Sequence, residues 1–524
     1  MKLQYRRLRA PKLDNQVLID PPLDEFKNTL AQNQSRIRNY QFQIAGESIE
    51  TLRINAQAEL LRKASEYSGR YLSEIPDAAG STIFLSGHQP QLFHPGVWFK
   101  NFVLASVARE NGAVGINFIV DNDLGTSTRI LVPANDLNEP QIRSIGYDVP
   151  RPMQPFEGRA INDLGLWSEF EKRVSETLRP FVANPIIANL WQEVTDLLES
   201  RTVDGPEYAI AAARHRLEHR KGLSNLELPL SWICQSCHFS KLVAEIVERG
   251  HEFVQVHNQV LDEYRHLHRI RSSAHPVPAL AIDGDWLELP FWCWSQTRPR
   301  RSPLWVRFET EFARLSNRDD VEIEIPIERL ADSLSELETQ QGICIRPRAL
   351  ITTMYSRLVL SDVFLHGIGG AKYDQLTDSI IAEFFQVEAP EYFTISSTHF
   401  LPIDFEAKSQ ADVAQAAKKI RDHEFHPEYF LDGDDPDSQE LIERKNRWLS
   451  QIPPKGEKKD WHREMDSINA AIRSKLNMDL GQLKASLAET RKAVRRTNVL
   501  RSREFSFCLF PESITDQLAD LSRL

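Results

Sequence analysis

The sequence predicts a protein of the α/β class, in which short apolar strands and helices surround one parallel sheet. A polar loop and a helical pattern follow most of the short apolar runs, as in strand–helix–strand units. A long insertion separates the early runs from the late ones, so we expect one sheet assembled from two chain segments, about 80–150 and 340–405. The runs are 82–85, 115–120, 342–345, 363–365 and 392–395.

Length and charge exclude several classes of protein. The chain has 524 residues, 41% of them hydrophobic, and a net charge of −11. On a prior of about 150 residues per domain, we expect two to four structural units. The acidic balance argues against an extended nucleic-acid surface. We see no signal-peptide core and no run near the ~18 apolar residues of a membrane span, so we expect a cytoplasmic protein that does not enter a membrane.

Composition and periodicity divide the chain into six segments. We expect an N-terminal helical segment over 1–80, the first half of the core over 81–150, an inserted helical and mixed region over 151–340, the second half of the core over 341–437, a helical hairpin over 438–500, and a C-terminal strand and tail over 501–524.

The segment 438–500 has the pattern of a coiled coil. Apolar residues recur there at spacings of three, four and seven, which predicts a coiled-coil-like seam. Pro453-Pro454 separates the seam from an earlier helix, and an antiparallel hairpin is the simplest arrangement. The hairpin would pack within the chain or form a homodimer contact. The seam residues are Met465, Ile468, Ile472, Leu476, Leu480, Leu483, Leu487 and Val494.

The first candidate site follows the apolar run that ends at Leu85. Free N–H groups at a helix start attract anions, and nearby imidazoles can stabilise charge that develops on a phosphate. We therefore predict catalytic roles for His88 and His94, which stand at the two ends of this loop. The alternative is a loop whose histidines only cap a helix. The ligand-binding candidates here are Ser86, Gly87, Gln89, Gly96 and Lys100.

The second candidate site is the sequence Asp121-Asn122-Asp123, which follows the next apolar run. Two carboxylates at a strand end can hold Mg²⁺ or bind an acceptor amine. The pair also matches the short Asp-x-Asp motif of metal-dependent glycosyltransferases. We predict a catalytic or metal-binding role for Asp121 and Asp123, and the alternative is an ordinary polar turn.

The third candidate site is a glycine-rich loop after the apolar run 363–365. Its glycines expose backbone N–H groups that can form an anion-binding nest, and a lysine beside them can hold a phosphate. Asp374 and Asp378 lie one turn apart on the helix that we expect from Tyr373, so both can face one site. The alternative is a tight turn with capping acids. The candidates are His366, Gly367, Gly369, Gly370, Lys372, Tyr373, Asp374 and Asp378.

Arginines and an aromatic run complete the candidates. Arg346 and Arg348 flank Pro347 after a predicted strand, and arginine suits recognition of carboxylates or phosphates. The runs 291–294 and 298–301 are candidates for lining a pocket, although aromatic runs more often form core. Cys234-Gln-Ser-Cys237-His238 matches a haem-attachment pattern, but without an export signal we expect no haem.

Taken together, these segments resemble the bacillithiol-biosynthesis cysteine-ligase family. Members carry a Thr-Gly-Gln-Gln loop, a Leu-Phe-x-Gly-Pro stretch, a Leu-Pro-Phe-Trp element and a Gly-Gly-Pro loop. The chain departs from the family at His88, at the acidic motif and at Lys372. The matching stretches are Ser86-Gly87-His88-Gln89, Leu92-Phe93-His94-Pro95-Gly96, Leu289-Pro290-Phe291-Trp292 and Gly369-Gly370.

The resemblance implies a Rossmann-like core similar to class I synthetases, with a late helical coiled coil. Our leading hypothesis is amide-forming ligation or a related nucleotidyl transfer that uses ATP or another nucleotide, with Mg²⁺ as a candidate cofactor and a small anionic substrate. His88 and His94 would stabilise phosphate charge, and Lys372 and Arg346 would anchor the anion. Two alternatives stay open: a glycosyltransferase that uses Asp121 and Asp123, and a non-catalytic scaffold that assembles through 438–500.

Overall fold

Apolar runs bounded by polar loops form the buried strands of the main sheet. The computed structural model describes residues 8–76, 82–125, 127–149, 154–272, 277–431 and 436–523. Within these ranges the fold is mixed α/β, and one of its sheets contains parallel strands, as the sequence predicts.

The strands are β1 (Gln16–Asp20), β2 (Gln43–Ile44), β3 (Glu47–Ser48), β4 (Ile83–His88), β5 (Val114–Ile119), β6 (Arg129–Ala134), β7 (Gln141–Gly146), β8 (Leu226–Pro229), β9 (Ile282–Asp283), β10 (Trp286–Ser295), β11 (Arg298–Phe308), β12 (Phe312–Ser316), β13 (Glu322–Pro326), β14 (Ile343–Pro347), β15 (Val363–His366) and β16 (Tyr392–Thr398).

The α-helices are α1 (Phe26–Arg38), α2 (Ile49–Ser68), α3 (Pro95–Glu110), α4 (Leu164–Ser168), α5 (Phe170–Leu178), α6 (Ile187–Glu199), α7 (Pro206–Arg220), α8 (Leu230–Cys234), α9 (Cys237–Glu248), α10 (Gly250–His268), α11 (Leu330–Gln341), α12 (Ala349–Tyr355), α13 (Ile368–Phe384), α14 (Gln410–Phe425), α15 (Pro436–Leu449), α16 (Lys459–Arg473), α17 (Leu480–Leu500) and α18 (Ile514–Leu521).

The main sheet has the strand order β1-β16-β15-β4-β5-β8. Strands β16, β15, β4, β5 and β8 run parallel, and β1 is antiparallel to β16. All six residues of β5 are buried, as expected for a strand that is covered on both faces. Both predicted chain segments contribute strands to this sheet, because β4 pairs with β15, but they do not supply all of its strands.

The predicted boundaries of the core need correction. Strand β1 comes from the segment expected to be helical, and β8 comes from the predicted insertion. Both are short and lie at the edges of the sheet, so their apolar patterns are brief and easily missed. A second, antiparallel sheet has the order β13-β12-β11-β10-β14, and β9 pairs with β10 as a hairpin.

Helix α3 connects β4 to β5 and is buried over most of its surface. Thirteen of its residues, including Trp98 and Phe102, are buried. A helix that is apolar around its circumference must lie inside a protein. Its first turn approaches β16 closely, because a Cβ added to Gly96 would lie 2.1 Å from the Ser397 carbonyl oxygen. Only glycine fits at this point of contact.

The chain divides into two units, one of which consists of 133–142 and 402–502. In that unit α14 packs on α17, and α15 packs on α16. The predicted seam is split, because 474–479 separate α16 from α17. Met465, Ile468 and Ile472 are buried on α16, and Val494 is buried on α17. Its longer segment begins at 402, whereas the predicted helical hairpin begins at 438.

The predicted strand over 504–510 is wrong. Residues Phe507–Leu509 form a 3₁₀ turn, and the Ser506 side chain accepts from the Cys508 N–H at its start. This local hydrogen bond favours a turn over a strand. Among the residues that the structure describes, every helix is too short or too polar to cross a lipid bilayer.

Replacing Gly96 with alanine should destabilise the protein by about 1–3 kcal/mol, because the new methyl group collides with backbone. Gly369→Ala is the matched control, since a Cβ there meets nothing within 4 Å. Its helical position should make it neutral or stabilising by up to about 1 kcal/mol. Urea denaturation of both variants checks this, and equal midpoints would contradict it.

Candidate functional site

The carboxyl ends of the five parallel strands meet along one edge of the main sheet. The chain proceeds from β4 to β5 and β8 in one direction, and from β15 to β16 in the other. The order therefore reverses between β4 and β15. In open α/β sheets, ligands bind outside the carboxyl ends of the strands at such a switch point. His88 ends β4, His366 ends β15, and Asp121 follows β5.

His88 is held by its own surroundings. Its Nδ1 lies 3.2 Å from the Gln89 carbonyl oxygen, and its Nε2 lies 3.2 Å from Asn117 Nδ2. Burial, helped by the positive charges of Arg214 and Lys100, lowers the pKa of His88 well below its ordinary value. Both ring nitrogens are thus engaged within the protein. The predicted role of His88 in stabilising phosphate charge stays a prediction, and its contacts show that the ring also supports the loop.

His94 is the N-cap of α3. Its Nδ1 accepts a hydrogen bond from the Gly96 N–H at 3.1 Å. Burial, with smaller contributions from Arg503 and His399, lowers the pKa of His94 to about 4, so the ring is neutral near pH 7. The capping alternative describes His94 better than the predicted catalytic role. Gly96 is required for packing against Ser397, and nothing in its contacts indicates ligand binding.

Lys100 lies buried at the switch point. Its Nζ donates to the Gly87 carbonyl oxygen at 2.7 Å, and a Cβ on Gly367 would lie 4.0 Å from its Cε. The loops after β4 and β15 therefore meet around this side chain, as the sequence predicts. Burial lowers the pKa of Lys100 to about 7. Ser86 joins the same two strands through a 3.0 Å bond from its Oγ to the Leu365 carbonyl oxygen.

The glycine-rich segment is the first turn of α13, not a loop. Gly367 is the N-cap, and the helix begins at Ile368 instead of the predicted Tyr373. A Cβ on Gly370 would lie 2.6 Å from His366 Nδ1, so glycine lets the imidazole cover the turn. This tertiary contact outweighs the poor helix propensity of glycine.

The acids of α13 face a buried arginine. His366 Nε2 lies 2.8 Å from Asp374 Oδ2, and Arg357 donates to Asp374 and Asp378 at 2.6 Å each. Although burial opposes it, Arg357 and His366 hold the pKa of Asp374 below its usual range. Asp374 and Asp378 do share one partner, as their spacing predicts, but that partner is Arg357 and not a ligand.

Lys372 and Tyr373 lie in the first turns of α13, and their predicted contacts with a ligand stay a prediction. Lys372 is exposed, and its backbone carbonyl oxygen accepts from the Tyr264 hydroxyl at 2.7 Å. Tyr373 is half-buried beside it.

Asp121 and Asp123 accept hydrogen bonds from different residues. Asp121 accepts from the Ser231 N–H and hydroxyl at 3.0 and 2.5 Å, and from the Tyr208 hydroxyl at 2.8 Å. Burial raises the pKa of Asp121. Asp123 accepts from Arg301 at 2.8 Å and from Gln89 at 2.5 Å. The predicted carboxylate pair is therefore not directed at one metal position.

Arg346 and Arg348 have different surroundings. Arg346 is buried, and its guanidinium lies between Glu157 and Glu338, with donor–acceptor distances of 2.6–3.0 Å. These two acids and Cys344 form a group with the geometry to hold a metal ion. The guanidinium of Arg346 already supplies the positive charge there, so Arg346 is a structural residue and the predicted anchoring role is corrected.

A pocket of about 290 Å³ opens at the carboxyl end of β5, between the two sheets. Its volume is near the lower limit of small-molecule sites. Most of its walls are apolar, and its charged groups come from three different elements. Lining residues are Val120, Asn122, Asp123, His257, Val277, Pro278, Leu280, Pro290, Trp292, Arg301, Pro347, Arg348, Ala349, Leu350 and Thr352.

Two arginines are fixed on one indole in this pocket. The guanidinium carbons of Arg301 and Arg348 each lie 4.3 Å from the centre of the Trp292 ring. Arg301 also pairs with Asp123 at 2.8 Å, and Arg348 pairs with Glu288 at 2.5 Å. Cation–π contacts and ion pairs hold both side chains in place while leaving N–H donors available. Arg348 Nε is buried and has no hydrogen-bond partner among the described residues.

Sequence reasoning identified part of this pocket. Asp123, Arg348 and the aromatic run that contains Trp292 were expected near a ligand, and all line the cavity. Gln89 reaches the same place through Asp123. His257 was not predicted to line a ligand pocket, because it lies within α10 and belongs to no recognised motif. Only its contact with the pocket distinguishes it from an ordinary buried histidine.

Comparisons with known proteins leave the family open. No protein-family model matches the chain, and no curated protein matches it. The site must therefore be interpreted from its own geometry.

The buried amine of Lys100 should make stability depend on pH. Its pKa is about 7 in the fold, against about 10.4 in an unfolded chain, so the unfolded chain binds an extra proton between these values. Relative to Lys100→Met, the free energy of unfolding of the wild type should rise by up to about 1.4 kcal/mol per pH unit over this range. Denaturation curves at pH 7.5 and 9.5 measure this. Lys372→Met, at an exposed position, is the control. If the free energy of unfolding depends on pH equally in Lys100→Met and in the wild type, the prediction is contradicted.

Removing Arg346 should be strongly destabilising. Arg346→Met leaves the carboxylates of Glu157 and Glu338 without their shared partner, which should cost about 3–5 kcal/mol. Arg298→Met is the control, because the Arg298 side chain is 59% exposed. Urea denaturation measures both variants, and a loss of less than about 1 kcal/mol for Arg346→Met would show that the ion pairs are dispensable.

Proposed function

We propose that this protein is a ligase-type enzyme that binds a nucleotide or another phosphorylated ligand at the carboxyl edge of its main sheet. The reaction is amide-bond formation or a related nucleotidyl transfer. The observation that carries the proposal is the pocket in which Arg301 and Arg348 are fixed on Trp292. Guanidinium groups that are fixed in place suit phosphate and carboxylate recognition.

The sheet supports a Rossmann-like interpretation of the core. Five parallel strands with a reversal of order between β4 and β15 are the arrangement in which such folds bind nucleotides. The pocket lies one strand away from that reversal, at the end of β5, and the hydrogen bond from Gln89 to Asp123 joins the two places. A ligand that extends from the pocket toward Lys100 would follow this edge.

The resemblance to the bacillithiol-biosynthesis cysteine ligases is consistent with this location. Pro290 and Trp292 of the Leu-Pro-Phe-Trp element line the pocket, and Asp123 of the acidic motif lines it too. Gln89 of the first loop hydrogen-bonds to Asp123. We propose that the chain is a divergent relative of that family and acts on a different substrate.

The residues present suit a nucleoside phosphate. Proline, valine and leucine side chains form walls for a planar base, and the two arginines supply donors for the phosphates. Mg²⁺ would arrive with the phosphates, because nucleotide sites usually bind it through phosphate oxygens and one or two carboxylates. Asp123 is the carboxylate of the pocket that would contribute. The glycosyltransferase alternative has less support, because Asp121 is engaged by Ser231 and Tyr208.

The first experiment is a thermal-shift screen against ATP, other nucleotides and amino acids, with and without Mg²⁺. A ligand at about 100 times its dissociation constant should stabilise the wild type by about 2.7 kcal/mol. Arg348→Ala should lose at least tenfold in affinity for ATP, because it removes one of the two guanidinium groups that line the pocket.

Arg300→Ala is the matched control for Arg301→Ala. The Arg300 side chain is 63% exposed and is adjacent to Arg301 on the same strand. It should keep the wild-type shift with ATP, while Arg301→Ala and Arg348→Ala lose it. The absence of any shift with nucleotides, or a shift that both pocket variants retain, would exclude this pocket as the nucleotide site.

A further inference from the structure

His366 brings a free ring nitrogen to the first turn of α13. The residue ends β15 and is only 5% exposed. Its Nε2 lies 2.8 Å from Asp374 Oδ2, and its Nδ1 has no hydrogen-bond partner among the residues that the structure describes. The rings of Phe364 and Tyr392 lie 4.5 and 5.0 Å from the imidazole, measured between ring centres, and restrict its orientation.

The Asp374 carboxylate determines which ring nitrogen carries the proton. Arg357 and the Thr353 hydroxyl each donate to this carboxylate at 2.6 Å. Although burial opposes it, Arg357 and His366 hold the pKa of Asp374 below its usual range. An ionised carboxylate only accepts hydrogen bonds, so Nε2 is the donor, and Nδ1 of the neutral ring carries a lone pair.

Gly370 leaves space beside this lone pair. A Cβ added to Gly370 would lie 2.6 Å from His366 Nδ1, which is too close for a real side chain. Gly370 itself is exposed, so the space that a Cβ would fill lies at the surface of the first turn. A group bound to Nδ1 would occupy that space.

The same turn suits a phosphoryl group. Helix α13 has 17 residues, and its N-cap, Gly367, has no side chain to cap the N–H groups of the first turn. Free N–H groups at a helix start attract phosphate. The end of Lys100 is close by, since a Cβ on Gly367 would lie 4.0 Å from Lys100 Cε. A nucleophile and anion-binding groups therefore border one turn.

A nucleoside triphosphate in the pocket can reach this turn. The pocket opens at the end of β5, and β15 lies two strands away in the order β15-β4-β5. Two strand spacings are about 10 Å. An extended ATP molecule spans a comparable distance from its ribose to its γ-phosphate, so a nucleotide held by Arg301 and Arg348 could bring that phosphate to His366.

We propose that the bound nucleotide phosphorylates His366 at Nδ1, so that the reaction passes through a phosphohistidine. The inference rests on the proposed function and names its chemical route. The Nδ1 lone pair forms a bond to the γ-phosphorus. The bond from that phosphorus to the β,γ-bridging oxygen breaks, and its electron pair leaves with ADP. The ring keeps its proton on Nε2, and Asp374 offsets the positive charge that the ring gains.

A carboxylate of the substrate then takes the phosphoryl group. Its oxygen forms a bond to phosphorus, the phosphorus–nitrogen bond breaks, and the electron pair of that bond returns to Nδ1. The product is an acyl phosphate, which is an activated form that an amide-forming ligation can use.

The first test incubates the full chain with γ-³²P-labelled ATP and Mg²⁺. The wild type should take up phosphate that is stable in alkali and lost in acid, and mass spectrometry of its peptides should place this phosphate on His366. His366→Gln should lose at least tenfold in labelling. Gly370→Ala should do the same, because it keeps the imidazole and fills only the space beside Nδ1. His251→Gln, at an exposed position on α10, is the control and should label like the wild type.

The second test measures the exchange of labelled ADP into ATP without any acceptor. Phosphoryl transfer to His366 is reversible, so the wild type should catalyse this exchange and His366→Gln should not. Exchange of labelled pyrophosphate in place of ADP would show an adenylyl intermediate and would overturn the proposal. Phosphate on a residue other than His366 would overturn it too.

The outcomes separate the two proposals. If ATP stabilises the protein in a way that depends on Arg348 but leaves no phosphate on His366, the phosphohistidine is wrong while the nucleotide pocket stands. If His366 is labelled equally in the wild type and in Arg348→Ala, the phosphohistidine stands and the pocket is excluded as the nucleotide site. If ATP gives neither a shift nor a label, the proposed function itself fails.

Discussion

The junction between β4 and β15 is the constraint on which the site depends. Ser86 pairs with Leu365 in the sheet, and the Ser86 hydroxyl donates to the Leu365 carbonyl oxygen at 3.0 Å. At the start of the same strand, the Ile83 N–H donates to Asp362 Oδ2 at 2.9 Å. These contacts join parts of the chain that are 279 residues apart. Because both strands end at the same edge, the loops after them must meet, and Lys100 is enclosed where they do.

A buried ionic network supports the loop after β4. The guanidinium of Arg214 donates to Glu218 and Glu227 at 2.5 Å each, and all three side chains are almost completely buried. Asn117 donates to Glu227 at 2.7 Å and contacts His88 Nε2. Buried ions of this kind are costly unless every charge is paired, so the network tolerates few alternative arrangements. The orientation of His88, and with it the path of the loop to Gln89 and Asp123, follows from that restriction.

The local sequence pattern indicated which residues are polar or charged near the site, but not which partner each of them has in the fold. Arg346 and Arg348 flank one proline and are equal as a motif, yet one is enclosed between Glu157 and Glu338 and the other lines the pocket. Asp121 and Asp123 divide in the same way. The difference arises from partners that are far away in sequence, and periodicity carries no information about them. The place of His257 in the pocket was not predicted for the same reason, because it depends on what α10 packs against.

By itself, the sequence determined the α/β class, the two chain segments of the main sheet and the polar character of its carboxyl edge. These follow from alternating apolar runs and loops, which are local properties. Only the tertiary structure decided that edge strands come from outside those segments and that the predicted seam is split. It also decided that the pocket lies between two sheets, because burial and ion pairing depend on contacts that form after the elements have packed. The same contacts engage the side chains of His88, His94 and Arg346 within the protein, while Arg301, Arg348 and His257 line the cavity.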